Sequence, residues 1–290
     1  MKSNNSILPL VSILMTAYNR ELYIGEAIES VLSNSYQHFE LIIVDDGSKD
    51  QTVNIAKKYA DADNRIKVYI NEKNLGDYPN RNKAASYASG VFMMYVDSDD
   101  KLNPDTINKI LDSVSDISTL NFAMYWAHSN ETFTLNGKDA LEKHFNEKQF
   151  LYMGPGGTFI RRDFFNSIGF YPVKYGPAND MYFNLKACCY TAIHMFPFEF
   201  IYYRIHAGQE INNTYGYLYN NYNYMRDALL ELPLPFEKSK INWLIKKNKR
   251  RFAVNLSLYF FKSFNIKKTM EAWGKANFSI KYFLQAIFQL

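Results

Sequence analysis

Three carboxylates fall within four residues at Asp97-Ser98-Asp99-Asp100, directly after the apolar run Val91 to Val96. Two carboxylates about 5 Å apart repel by roughly 3 kcal/mol at an effective dielectric near 20. At a strand end such a cluster therefore calls for a counter-cation. Hard divalent ions such as Mg²⁺ take one or two carboxylates and leave their other positions to water and phosphate oxygens. The Asp-x-Asp spacing is thus a candidate site for a metal holding a diphosphate. The competing reading of this fragment is a solvated acidic turn that caps the next helix.

Two more polar clusters have the same placement. Thr16-Ala17-Tyr18-Asn19-Arg20 ends the apolar run from Leu10 to Ala17, and Asp45-Asp46-Gly47-Ser48 ends the run from Phe39 to Val44. Runs apolar throughout fit strands buried on both faces. Between them, Glu21 to Ser33 places Ile24, Ala27, Ile28, Val31 and Leu32 at helical spacing. Asp50 can cap a helix carrying Val53, Ile55, Ala56 and Tyr59. Ile66 to Ile70 reads as a third strand, Ala84 to Ser89 as part of a helix closing at Gly90, and Val91 to Val96 as a fourth strand. Asn103-Pro104-Asp105 supplies a cap, a proline for the first helical position and an acid for the helix dipole. This alternation predicts an α/β fold with a mostly parallel sheet flanked by helices, whose ligands sit at the carboxyl ends of the strands. Neither a G-x-G-x-x-G fingerprint nor a Walker-type loop occurs, so any nucleotide is held by another geometry.

After about Thr119 the pattern is irregular. Thr119 to Trp126 and Glu131 to Leu135 read as short strands, followed by the turn Gly154-Pro155-Gly156-Gly157-Thr158 and a helix from Asp163. Tyr175-Gly176-Pro177-Ala178-Asn179-Asp180 opens a helix running to Cys188, and Phe198 to Arg204 reads as a strand leading to His206. Beyond about Tyr215 the chain is helical and basic. From Phe236 onward, ten lysines and two arginines stand against Glu237 and Glu271, a net +10, which leaves −6 on the first 235 residues of a chain whose total is +4. Two accounts fit this segment: peripheral binding to anionic lipid, with Leu256, Tyr259, Phe260 and Phe264 as its apolar face, or packing on the preceding domain or a second protomer. No nucleic-acid reading motif accompanies the charge, so nucleic acid is not an expected partner.

At 290 residues, 47% of them hydrophobic and 21% charged, the chain can bury a sizeable core. The 23 Tyr and 22 Phe suit sugar or base stacking but also follow from codon bias. Cys188 and Cys189 are adjacent and poorly placed to bridge, which implies no disulfide framework and fits a reducing cytoplasm. The N-terminus reads as a first strand and not a signal peptide, and no apolar run reaches 18 residues, so no spanning helix is expected.

Taken in order, Val11 to Arg20, Asp45-Asp46-Gly47-Ser48, Asn74-Leu75-Gly76, Arg81-Asn82, Asp97-Ser98-Asp99-Asp100, Gly156 to Phe170, Asn179-Asp180 and Tyr203-Arg204-Ile205-His206 resemble the family 2 glycosyltransferases of the GT-A fold. The resemblance covers roughly residues 8 to 215. It implies a Rossmann-like catalytic domain over 1–215, with a nucleotide half to about residue 100 and an acceptor half after it, and a basic helical extension over 216–290. It also implies an inverting, metal-dependent transfer from a nucleoside-diphosphate sugar, UDP-linked, to a glycan or lipid-linked acceptor in surface polysaccharide synthesis. On this resemblance, Thr16, Ala17 and Tyr18 line the base, and Asp46 accepts from a uracil-like N3–H. Asp45 either shares that work or only caps the following helix. Arg20, Gly76, Arg81, Asn82, Ser98 and Gly156 face the sugar nucleotide. Asp97 faces the ribose or the metal, Asp99 and His206 hold Mn²⁺ or Mg²⁺, and Asp100 is structural. Asp180 is the implied base, standing where the family has the second member of a Glu-Asp pair, and Asn179 replaces the Glu. That replacement motivates an alternative, a non-catalytic sugar-nucleotide or glycan-binding homologue. The processive signature Gln-x-x-Arg-Trp is missing, which argues against polymerisation through a membrane pore.

Overall fold

A computed structural model describes residues 8–147, 149–206 and 214–288. The first half alternates β1 (Val11–Ala17), α1 (Ile24–Leu32), β2 (Phe39–Asp45), α2 (Thr52–Ala62), β3 (Ile66–Ile70), α3 (Asp77–Ser86) and β4 (Phe92–Tyr95). Strands β3-β2-β1-β4 lie side by side and parallel. The chain leaves β1 in one direction to β2 and β3, then returns to place β4 on its other side. That reversal opens a crevice at the carboxyl ends of β1 and β4. Successive residues of these strands feed two cores, one on each face: Leu14, Ile42, Met93 and Tyr95 on one side, Ile13, Leu41, Ile43 and Met94 on the other. Both faces are dry, which is why the runs read as apolar throughout.

The second half is more irregular. It contains β5 (Lys101–Leu102), α4 (Thr106–Asp112), β6 (Phe122–Tyr125), β7 (Phe133–Leu135), α5 (Gly137–Asn146), β8 (Thr158–Arg161), α6 (Arg162–Ser167), α7 (Asn179–Cys188), β9 (Ile193–Phe196) and β10 (Ile201–Tyr202). The main sheet continues past β4 as β8-β6-β9-β7, with β8 antiparallel to both β4 and β6. A separate antiparallel ribbon pairs β10 with β5, and this brings the residues after Tyr202 alongside those just before Lys101.

Several boundaries differ from the sequence reading. The helix expected to include Ala84 to Ser89 and to close at Gly90 runs from Asp77 and ends at Ser86. The strand expected over Phe198 to Arg204 pairs only at Ile201–Tyr202. Pro104 precedes the N-cap Asp105 of α4 and does not occupy its first turn. Helix α5 and strands β8 and β9 were not anticipated.

The basic segment forms α8 (Thr214–Glu231), α9 (Lys238–Ser263), α10 (Ile266–Lys275) and α11 (Ile280–Phe288). Helix α8 packs on the body of the fold: Tyr224, Met225, Ala228 and Leu229 join the core of Tyr175, Tyr182 and Phe183. The Tyr175 hydroxyl donates to Asp227 at 2.9 Å, and that of Tyr182 to Glu231 at 3.0 Å. A satellite core of Tyr222, Phe252, Ala253, Leu256, Ala272 and Phe278 binds α8 to α9 and α10. Leu256 is therefore interior and not part of a free apolar face. No described helix is long and apolar enough to cross a membrane.

Candidate functional site

The crevice at the strand ends widens into a cleft of about 720 Å³. Of the residues singled out in the sequence, Thr16, Ala17, Tyr18, Arg20, Asp46, Gly76, Arg81, Asp97, Ser98, Asp99, Gly156 and Asp180 line it. The backbone of the three strand ends is stitched together there. The Ser98 hydroxyl donates to the Thr16 carbonyl at 2.8 Å, and the Asp46 amide donates to the Ala17 carbonyl at 2.8 Å.

Asp45 and Asp46 divide their roles. Asp45 accepts the Gly47 and Ser48 amides and the Ser48 hydroxyl, so it caps its own turn and not the following helix. Gly47 sits at φ +83°, where a side chain would be strained. Buried Asp46 accepts from the Asn71 side-chain amide and the Leu75 amide through Oδ1, and from the Gly76 amide through Oδ2. A carboxylate has about four acceptor positions. About one therefore remains on Asp46 for a ligand N–H. Tyr18 stands 45% exposed at the cleft wall, free to stack.

The acidic cluster is held by cations. Arg81, buried, forms a two-toothed pair with Asp97, Nη1 to Oδ1 at 2.6 Å and Nη2 to Oδ2 at 3.0 Å, and its Nε binds Asp77 at 2.7 Å. Burial alone would lower the Arg81 pKa, but Asp77 and Asp97 hold it well above its ordinary value. Burial raises the Asp77 carboxyl. Asp77 was missed in the sequence, although its i,i+4 spacing to Arg81 was a usable signal. The Asp99 Oδ2 accepts from Arg20 Nε at 2.9 Å and lies 3.0 Å from His206 Nε2. His206 stacks on Tyr23 at a centroid distance of 4.8 Å. The β5–β10 ribbon makes this meeting possible: the Arg204 amide donates to Asp100 and its Nε to the Asp99 carbonyl, both at 2.9 Å. Asp100 is buried, and burial followed by the nearby Asp97 charge pushes its carboxyl up to about 7.

Asn82 is not brought to the cleft. It donates to the Tyr171 carbonyl and accepts the Tyr171 amide, pinning a buried aromatic. Asn179, 2% exposed, is likewise occupied locally, since it accepts the Tyr175 amide and donates to the Gly176 carbonyl, closing the turn that starts α7. That turn presents Asp180, whose carboxyl is pushed up to about 7 by burial against the opposing pull of the Met181 amide and Arg81. Tyr78 meets the Asp180 amide with its hydroxyl at 3.3 Å. Gly154 leaves one side of Asp180 open, since a Cβ there would lie 3.6 Å from Oδ2. Gly156 lets the chain pass Ile201 and the Tyr95 carbonyl: a Cβ would lie 2.5 Å from Ile201 Cδ1. Tyr125, Tyr152, Tyr203, Tyr217 and Glu199 also line the wall; of these the sequence singled out only Tyr203, within its Tyr-Arg-Ile-His motif.

Among the described residues no group of three His, Cys, Asp or Glu side chains could hold a metal by itself. Asp99 Oδ2 and His206 Nε2 lie 3.0 Å apart and could together supply two ligands. A hard cation that keeps several positions for phosphate oxygens and water needs no more from the protein.

Parallel strands around a switch point, an acidic cluster at the strand end and a carboxylate at a facing helix start define the GT-A class of nucleotide-sugar enzymes. Residues 12–169 match the model of Glycosyl transferase family 2, and the chain belongs to that family. It is 44% identical over 91 residues to the UDP-Glc:alpha-D-GlcNAc-diphosphoundecaprenol beta-1,3-glucosyltransferase WfgD of Escherichia coli, an alignment covering 31% of this chain and 35% of that one. The first curated relatives are matched over about two fifths of their own length, 36 to 42%. S. aureus TarS 1-349 in complex with UDP-GlcNAc superposes with a TM-score of 0.71 at 23% identity, covering 96% of this chain and 81% of that one. The mannosyltransferase PcManGT of Pyrobaculum calidifontis, in complex with GDP-Man and Mn2+, gives 0.59 at 15% identity, covering 98% and 85%. At these identities the solved structures establish the fold.

Proposed function

We propose that this protein transfers a glycosyl unit from a nucleoside-diphosphate sugar, UDP-linked, to a hydroxyl of a glycan or lipid-linked acceptor in surface polysaccharide synthesis, inverting the anomeric centre. One observation carries the reading: the buried carboxyl of Asp180, held near neutrality, shares a cleft with the acidic strand end. A base with a pKa near the working pH removes a proton most effectively. In this scheme Asp180 takes the acceptor hydroxyl proton as the oxygen attacks the anomeric carbon and the nucleoside diphosphate leaves. Direct attack by the acceptor oxygen with Asp180 as its base is one displacement, hence inversion; a retaining route would need a second carboxylate acting as nucleophile. Tyr18 and Asp46 hold the base, and Arg81 orients Asp97 toward the ribose side. Asp99 and His206 would hold Mn²⁺ or Mg²⁺, which when bound offsets charge on the departing diphosphate. WfgD, named for UDP-Glc, and the TarS complex with UDP-GlcNAc support the donor class; the Mn2+ of PcManGT supports the cation.

The test is calorimetric UDP binding with and without Mn²⁺, alongside donor hydrolysis and transfer. Asp99→Asn should abolish the Mn²⁺-dependent part of UDP binding, and Asp180→Asn should keep binding and lose turnover. Mn²⁺-dependent UDP binding with no turnover on any donor would instead identify a non-catalytic binding homologue.

We also infer a cytoplasmic protein resting on the inner face of the membrane through its C-terminal helices. Phe261, Phe264, Ile266, Met270 and Ile280 are each more than 60% exposed there, interleaved with Lys262, Lys267, Lys268 and Lys281. Aromatic and aliphatic groups beside lysines suit an anionic lipid surface. Co-sedimentation with phosphatidylglycerol vesicles should drop for Phe261→Ser/Phe264→Ser, and equal binding by both proteins would exclude this face.

A further inference from the structure

A second hollow, about 190 Å³, lies where α5, α7, α8 and α9 meet. Tyr152 and Met181 line both it and the main cleft, so it opens just beyond Asp180. Its chemistry is the reverse of the cleft's. The cleft is lined by six aspartates and Glu199 against Arg20 and Arg81, whereas none of the residues lining the hollow is acidic. Arg251 is at its wall, exposed, with no ion pair among the described residues.

Two polar atoms there are orphaned. His144 is only 4% exposed, and its Nδ1 accepts the amides of Phe150 and Leu151, both at 3.1 Å. Burial pushes its pKa down to about 4, so the ring is neutral and its proton sits on Nε2. Among the described residues that Nε2 has no partner, and neither does the Oδ1 of Asn221, which lines the same hollow; both atoms are closed to solvent. A buried donor without a partner costs about 1–3 kcal/mol. A hollow with no acidic lining, an unpaired guanidinium at its wall, the half-exposed ring of Tyr152 and two unpartnered polar atoms just behind its surface suits a hydroxyl-rich ring bearing negative charge.

We propose that this hollow binds an anionic sugar unit of the acceptor, carrying a carboxylate or a phosphate, next to the sugar whose hydroxyl reaches Asp180. The inference rests on the transferase reading and adds the acceptor's charge. It also gives α8 and α9 a direct part in acceptor choice.

The test uses the intact protein saturated with UDP and Mn²⁺, and repeats it without them. Methyl β-D-glucuronide, glucose 6-phosphate and methyl β-D-glucoside are titrated while the histidine ring nitrogens are followed by ¹H–¹⁵N correlation. At least one anionic probe should bind about tenfold more tightly than the neutral glucoside and shift the His144 Nε2 signal; which of the two does so separates uronate from phosphate acceptors. Arg251→Gln, at an exposed position, should remove that preference, Asn255→Asp should weaken the anionic probe, and UDP affinity should stay unchanged in both. Equal binding of charged and neutral probes, absence of binding, displacement of the probes by UDP, or indifference to Arg251→Gln would overturn the proposal. None of these readouts depends on turnover, so failure of the transferase reading is seen separately.

Discussion

Replacing Asp180 by Asn tests whether its raised pKa reflects a catalytic demand. Burial is the main cause of the rise from the ordinary 3.8 to about 7, and the change keeps an acceptor oxygen for the Met181 amide at 2.7 Å. On the catalytic side, losing a positioned general base typically lowers the rate about 10²–10⁴-fold. The wild-type kcat/KM should fall about tenfold per pH unit below about 7, because only the ionised carboxylate accepts the proton. On the stability side the sign is opposite. A carboxyl whose pKa is higher folded than unfolded favours the fold while protonated; the penalty is absent below about pH 4, grows as pH rises, and is complete above about 7. Its full size is at most about 4 kcal/mol. Asp180→Asn should therefore be more stable than wild type at pH 8 by up to that amount, with the difference vanishing near pH 4. Urea unfolding at both pH values, paired with transfer assays, checks this. Retained turnover, or a stability difference independent of pH, would refute the reasoning.

Asn179→Glu restores the acid expected from the family pattern but removes the amide donated to the Gly176 carbonyl. It should cost about 1–3 kcal/mol in urea unfolding and bring no gain in turnover. Arg81→Met leaves Asp77 and Asp97 without their shared cation; both carboxylates reach solvent, so a loss of about 1–3 kcal/mol is expected, seen as a lower urea midpoint. Gly90→Ala places a Cβ 2.7 Å from both the Leu10 carbonyl oxygen and the Ser12 nitrogen, backbone atoms that cannot swing away. A loss of about 1–3 kcal/mol is expected, measured by thermal unfolding.

The sequence exposed the elements whose burial follows a simple rule. Helix α1 buries Ile24, Ala27, Ile28 and Val31, a clean helical stripe, and β2 is buried at every position. Helix α3 was half hidden because its interior face includes Asn80 and Arg81, polar residues that tie strand ends and carboxylates together. A helix that points polar side chains into a site loses the apolar period by which helices are recognised. Helix α5 was missed for a related reason, since His144 occupies a core position, although Asn136 capping the Asp139 amide was a local signal. In the candidate site, the strand-end clusters could be located from periodicity and punctuation. The approach of His206 to Asp99 could not, because it depends on the two-residue ribbon between β5 and β10, a pairing of residues about a hundred positions apart.

On the proposed reading, charge balance in the cleft gives a reason for a cation. Arg81 is shared by Asp77 and Asp97, and Arg20 is engaged by Asp99, so three carboxylates already occupy two guanidinium groups. A diphosphate entering this space brings further negative charge and finds neither arginine uncommitted. Like charges a few ångströms apart cost roughly 3–4 kcal/mol per pair at an effective dielectric of 20. Two remedies are available: Arg20 can turn from Asp99 to a phosphate oxygen, or a divalent ion can take its place at Asp99 and His206. The first uncovers Asp99 and so strengthens the case for the second. Arg20 and the Asp99–His206 pair therefore act as alternatives on one carboxylate oxygen, Oδ2, which both now contact. On the proposed reading, the contacts that hold Asp99 Oδ2 in the free protein would also keep it in place for a cation.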